Sequence, residues 1–155
     1  IHNRKLDLLE IQGTSEEIIV AKAREAYSVI QKPCFVDDVS VEIADWNGLP
    51  GPYIKYFVEA MGIEKLSSMA EGSKMKARCI IGLALSKDDI RLFEGSVTGT
   101  IVTPRGGSTF GFDPIFVPLG SELAWSEITA AEKNRISHRG LALKQLNVFL
   151  ESFKA

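Results

Sequence analysis

The chain has 155 residues, of which 45% are hydrophobic and 25% charged, with 18 Lys+Arg against 20 Asp+Glu for a formal net charge of −2. That length fits a single domain over 1–155 that buries about two thirds of its unfolded surface, and the composition excludes a disordered or collagen-like chain. The balanced charge lacks the basic excess that gripping a phosphate backbone demands, so nucleic acid is not an expected partner. The longest apolar run, Cys79 to Leu85, falls far short of the roughly 18 residues a membrane span needs. No charged-then-apolar leader opens the sequence. Cys34 and Cys79 both lie in strand-like apolar runs and read as buried, reduced thiols. Together these features predict a cytoplasmic protein with no membrane partner. The sequence opens with Ile1 rather than Met, and the expectation is that its amino terminus is incomplete.

In chain order, Lys5 to Ile11 reads as a strand or an extended lead-in that ends at Gly13-Thr14-Ser15. A helix follows, because Thr14 with Glu17 three residues on forms a capping-box pattern. Ile19, Ala23, Ala26 and Ile30 then recur on one helical stripe. Pro33 stops that helix. Cys34-Phe35-Val36 predicts a short strand buried on both faces that terminates in Asp37-Asp38. Val41 to Ala44 suggests a second short strand, and the turn-rich Asn47 to Pro52 leads into helices over about 53–61 and 64–70. Lys76 to Leu85 and Ile90 to Val102 predict an antiparallel hairpin across the polar turn Ser86 to Asp89. A glycine-containing loop spans Thr103 to Pro114, with a short strand at Ile115 to Val117 and a short helix at Ser126 to Asn134. Ser137 to Phe153 closes the chain as a helix whose core stripe is predicted to be Leu143, Leu146, Leu150 and Phe153. The pattern is α/β: a mixed twisted sheet with flanking helices, an elongated single domain carrying a cleft.

Three groups could carry chemistry. Asp37 and Asp38 are predicted at the carboxyl end of a strand, where open α/β sheets collect ligands; the alternative is a strand-to-turn junction with two solvated carboxylates. Adjacent strand residues point to opposite faces, so the pair are not equivalent ligands unless the strand ends or bulges there. The loop Pro104 to Pro114 offers close backbone approach at its glycines and two Phe rings flanking Gly111 on which a base could stack. It reads equally as a packed surface loop. Finally, Lys133 precedes Ser137-His138-Arg139, where two donors stand in the first turn of a helix. The macrodipole places basic residues at the other end, so the position suits donors aimed at a ligand, or else a solvated helix start.

At these residues the sequence resembles the inosine triphosphate pyrophosphatase family over nearly its whole length. The resemblance is carried by Lys5–Gly13 (KLDLLEIQG), Phe35–Asp38 (FVDD), Gly48–Lys55 (GLPGPYIK), Phe110–Phe116 (FGFDPIF) and Ala131–Arg139 (AEKNRISHR). Five blocks in one order make a specific signal, whereas any one alone is weak. The resemblance implies hydrolysis of non-standard purine nucleoside triphosphates (ITP, dITP, XTP) to the monophosphate and pyrophosphate, as nucleotide-pool sanitation. It implies Mg²⁺, or Mn²⁺, as cofactor and a homodimer as the assembly. Glu10 and Asp38 match its metal positions, and Asp37 matches an acidic position suited to orienting or deprotonating the attacking water, so that Asp37 and Asp38 are the catalytic pair. Lys22 matches a phosphate-contacting lysine. Phe110 matches the ring that stacks on the purine, with Gly111, Phe112 and Asp113 completing the base-side loop. Lys133, His138 and Arg139 match the residues around the base and its 6-oxo group.

The sequence departs from the family pattern twice. Nothing in Ile1 to Arg4 resembles the Ser/Thr-x-Asn-x-x-Lys loop that grips the triphosphate, and Val39 stands where Ser or Thr usually follows the acidic pair. These departures keep two alternatives open: a pyrophosphatase with a different nucleotide preference, and a nucleotide-binding module without turnover.

Overall fold

The computed structural model describes residues 2–107 and 111–153. Its centre is one five-stranded sheet in the order β2-β1-β3-β4-β5, formed by β1 (Cys34–Ile43), β2 (Pro50–Gly51), β3 (Lys74–Ala84), β4 (Ile90–Ile101) and β5 (Phe116–Pro118). Every pairing among the described residues is antiparallel. Helices α1 (Ser15–Ile30), α2 (Ile54–Met61), α3 (Ile63–Ala70), α4 (Ala130–Ile136) and α5 (His138–Ser152) flank it, which is the expected α/β architecture. No described helix is long and apolar enough to cross a membrane.

Alternation along β1, β3 and β4 divides the sheet into two faces. One carries Val36, Asp38, Ser40, Ile80, Gly82 and Ala84, and α1 lies across it. The closest approach is at Gly82, where a Cβ would stand 3.0 Å from Ile19 and 3.2 Å from Ala23. The other face carries Asp37, Val39, Val41, Ile43, Cys79, Ile81 and Leu83. It packs on Ala142 and Leu146 of α5 at one end, and on Ile54, Leu66, Phe112, Phe116 and Trp125 at the other. α1 starts as expected, with Thr14 accepting from the Glu17 amide and the Glu17 carboxylate accepting from the Thr14 amide.

Several sequence expectations are corrected. Of the two readings of Lys5 to Ile11, only the strand is excluded, since the segment carries no regular secondary structure. β1 does not end at Asp37-Asp38 but runs on to Ile43, absorbing the separate strand expected at Val41 to Ala44. Pairing with β3 holds it along its whole length, with Asp37 opposite Ile81 and Asp38 opposite Ile80. Phe35 is exposed and Cys34 only half-buried, so the start of β1 is not covered on both faces and only Cys79 is a fully buried thiol. The expected helix at Ser126 to Asn134 is a 3-10 turn over Trp125–Glu127 followed by α4. In α5, Leu143 is 36% and Phe153 65% exposed. The inward stripe is His138, Ala142 and Leu146, with Phe149 packed beside it. Small residues carry this contact because α5 starts almost against the β4 backbone at Gly95, leaving no room for a leucine there.

Candidate active site

Two clusters, one on each side of β1, gather the sequence-predicted residues. On the α1 face, Lys22 reaches from the helix to both carboxylates, with Nζ 2.7 Å from Asp38 Oδ1 and 3.2 Å from Glu10 Oε1. The two carboxylates therefore converge, their bonded oxygens within about 6 Å of each other. Tyr56 at the start of α2 donates its hydroxyl to Glu10 Oε2 at 2.7 Å. That bond comes first among the causes holding Glu10 below the usual carboxylate range, with Lys22 also contributing. Burial pushes Asp38 up, opposed by Lys22 and reinforced by the negative charges of Glu10 and Asp37. For Lys22, burial would lower the ammonium, but Asp38 and Glu10 outweigh it and raise it. Asp38 Oδ2 is buried without a hydrogen-bond partner among the described residues, and so is the hydroxyl of Ser40, next along the same face. A groove of about 1480 Å³ borders Glu10, Lys22 and Asp37, and a smaller cavity of about 210 Å³ borders Glu10, Asp38 and Tyr56.

On the α5 face, Arg139 Nε donates to Asp37 Oδ2 at 2.8 Å. The Cys79 thiol stands 3.9 Å from the same oxygen, and burial pushes that thiol up to about 12. Beyond Arg139, Lys133 forms a short ion pair with Asp113. Phe112, Trp125 and His138 pack together there. His138 is buried, and burial together with the positive charges of Arg139 and Lys133 pushes its imidazole down to about 4, so it is neutral at pH 7. Ser137 caps α5 by accepting from the Gly140 amide at 3.1 Å, which fixes where His138 and Arg139 begin the helix.

Glu10, Lys22 and Asp38 are thus brought together, and so are Asp37, Phe112, Asp113, Lys133, His138 and Arg139. Of this second set Asp37 borders the larger groove, while Phe112, Asp113, Lys133, His138 and Arg139 line neither cavity. Gly111 takes a positive φ of 56° in the turn before Phe112. Phe110, expected to stack on a base, lies outside the described residues. Sequence reasoning missed Tyr56 and Trp125. Tyr56 directly follows the matched block Gly48–Lys55, and Trp125 stood one residue outside an expected helix, so neither belonged to a recognised pattern.

The comparisons with known proteins bear on this arrangement. The Ham1 family model matches residues 2–149. The chain belongs to the Ham1 family. Within that family it is 43% identical over 152 residues to the inosine triphosphate pyrophosphatase of Yarrowia lipolytica, covering 96% of this chain and 81% of that protein. It is 39% identical over 158 residues to the enzyme of the same name in Schizosaccharomyces pombe, covering 99% and 84%. A Ham1 protein structure from Coxiella burnetii superposes with a TM-score of 0.85 at 30% identity, over 95% of this chain and 81% of that one. A dITP/XTP pyrophosphatase structure from Mycobacterium abscessus gives 0.71 at 26% identity, over 93% and 82%. These Ham1 neighbours share the α/β architecture described above.

The donor chemistry around Asp38 also accommodates a hard cation. Among the described residues no group of three or more His, Cys, Asp or Glu side chains forms a metal cage. Mg²⁺ needs none, since it takes one or two carboxylates and completes its octahedron with water and phosphate oxygens. Two convergent carboxylates, one with an unpartnered buried oxygen, fit that demand.

Proposed function

We propose that this chain is a hydrolase that cleaves non-standard purine nucleoside triphosphates, ITP, dITP and XTP, to the monophosphate and pyrophosphate. The observation that carries the reading is the convergence of Glu10 and Asp38 on Lys22, with Asp38 Oδ2 buried and without a partner among the described residues. The names of the Yarrowia and Mycobacterium relatives support the substrate class.

In this reading Glu10 and Asp38 would hold Mg²⁺, or Mn²⁺ in its place, which would neutralise charge on the phosphate tail and polarise the phosphoryl group whose phosphorus is attacked. Lys22 contributes a positive charge to the same tail. Asp37 spends Oδ2 on Arg139 and keeps Oδ1 to orient or deprotonate the attacking water. Asp113 fixes Lys133, and Lys133, His138 and Arg139 face the base beside Gly111 and Phe112. Donors directed at a 6-oxo group pair with hypoxanthine or xanthine. Adenine presents an amino group there, and donor would meet donor, leaving buried groups unpaired. The reading extends to one catalytic domain over 1–155 that acts as a homodimer in the cytoplasm.

The test is product identification after incubation with Mg²⁺ and ITP, XTP, dITP, ATP, GTP or dUTP. The expected result is monophosphate plus pyrophosphate, with ITP and XTP far ahead of ATP. Release of orthophosphate and a diphosphate, equal rates on all substrates, or binding of ITP without turnover overturns it.

A further inference from the structure

The geometry points to Trp125 as the residue that sets the plane of the His138 imidazole and thereby the preference for a 6-oxopurine. This rests on the reading of His138 and Lys133 as base-side groups. His138 Nδ1 is buried with no hydrogen-bond partner among the described residues, so no bond at that nitrogen orients the ring, and packing does. That packing is Trp125: the indole and imidazole rings stack with centroids 5.0 Å apart and planes 10° from parallel. Both residues are almost fully enclosed, Trp125 at 1% and His138 at 4% exposure. Lys133 Nζ also lies 5.4 Å from the centre of the indole, so one side chain touches two of the three proposed base-side donors.

The indole is itself clamped. Its ring centroid lies 4.4 Å from that of Phe116, with planes inclined at 66°, and the Phe112 centroid lies 6.2 Å from that of Trp125 and 5.9 Å from that of His138. The turn that carries it is pinned by Ser126 Oγ donating to the Arg105 carbonyl at 2.6 Å, and by Glu127 accepting from the Ala124 amide at 2.8 Å. A rigid stack matters because hydrogen bonds weaken steeply as donor and acceptor misalign. An imidazole free to rock loses its discrimination between a keto oxygen and an amino group, while the phosphate end is untouched. Trp125 is therefore a positioning residue, acting through His138.

Two variants test this. Trp125→Leu removes the flat ring and keeps a large apolar side chain; Trp125→Phe keeps a flat ring. In wild-type protein the His138 ring protons should resonate upfield, shielded by the indole. In Trp125→Leu they should return toward ordinary positions, KM for ITP should rise about tenfold with kcat within about twofold, and the ITP over ATP preference should narrow about tenfold. Trp125→Phe should restore most of each. The proposal is overturned if the His138 resonances do not respond to Trp125→Leu. It is equally overturned if they respond while KM for ITP stays put, or if both substrates lose kcat alike, as a purely structural role would give. Wild-type enzyme that does not distinguish ITP from ATP overturns the substrate reading and this proposal with it. A preserved ITP preference in Trp125→Leu overturns this proposal alone.

Discussion

Gly95→Ala perturbs the base side directly, because the two atoms nearest an added side chain are backbone of α5. An alanine Cβ would stand 2.1 Å from the His138 carbonyl oxygen, 2.5 Å from the Ala142 amide nitrogen and 2.7 Å from Leu141 Cβ. The first two contacts are backbone, so no rotamer change relieves them, and the start of α5 must retreat from β4 by about 1 Å. Overpacking of this kind costs about 1–3 kcal/mol, which at about 3 °C per kcal/mol for a chain of this size lowers Tm by about 3–9 °C. The retreat carries His138 and Arg139 with it, and a displacement of about 1 Å in a positioning group costs up to about 10²-fold in kcat/KM. Thermal unfolding and steady-state ITP hydrolysis measure the two effects. Gly107→Ala is the control: nothing among the described residues lies within 4 Å of its added Cβ, and stability should stay within about 0.5 kcal/mol of wild type. If Gly95→Ala matches that control in both assays, α5 does not rest on β4 as described. If it loses stability but not kcat/KM, the start of α5 does not position the site.

Two further predictions concern charge. His138 titrates at about 4 when folded and near 6.5 when unfolded, so the unfolded chain takes up the proton first as pH falls. Its contribution is fully present above pH 6.5 and is lost between about 6.5 and 4, amounting to about 3 kcal/mol; urea unfolding at pH 7.5 and 4.5 should show this slope in wild type and not in His138→Leu, and equal slopes would contradict it. Lys22→Met leaves Asp38, whose side chain is only 12% exposed, without its cation, at a cost of about 3 kcal/mol at pH 7. Because the folded Asp38 carboxyl then titrates further above its unfolded value, the loss should shrink as pH is lowered. The double variant Lys22→Met/Asp38→Asn should recover most of it, whereas simple additivity in the cycle would refute the pairing.

How much of this was legible in the sequence follows from what each contact depends on. α1 was readable because a cap and a stripe are local: Thr14, Glu17, Ile19, Ala23 and Ala26 signal within one helix. The β3–β4 hairpin was readable for the same reason. The extent of β1 was not, because Asp37-Asp38 looks like a turn signal, and the partners that stabilise each carboxylate within a strand come from distant helices, Lys22 on one face and Arg139 on the other. Of the predicted α5 stripe, Leu146 is buried and Leu150 packs beside it, but hydrophobicity also favours Leu143 and Phe153, which are exposed. The true contact is made by His138 and Ala142 against Gly95, where smallness decides. Glu10, Asp37, Asp38, Phe112, Asp113, Lys133, His138 and Arg139 were legible through the five matched blocks, while Lys22 lies outside all of them. Trp125 was not, since a ring stack between a 3-10 turn and α5, with α4 between them in the chain, has no periodicity to betray it.

The measurement closest to the heart of the proposed chemistry is a Mn²⁺ titration by electron paramagnetic resonance, with a nonhydrolysable ITP analogue bound. One tightly held ion is predicted, with affinity reduced tenfold or more by Asp38→Asn and unaffected by Asp113→Asn on the opposite side of β1. Equal Mn²⁺ affinity in wild type and Asp38→Asn would contradict the assignment of Glu10 and Asp38 as the pair that holds a cation against the nucleotide.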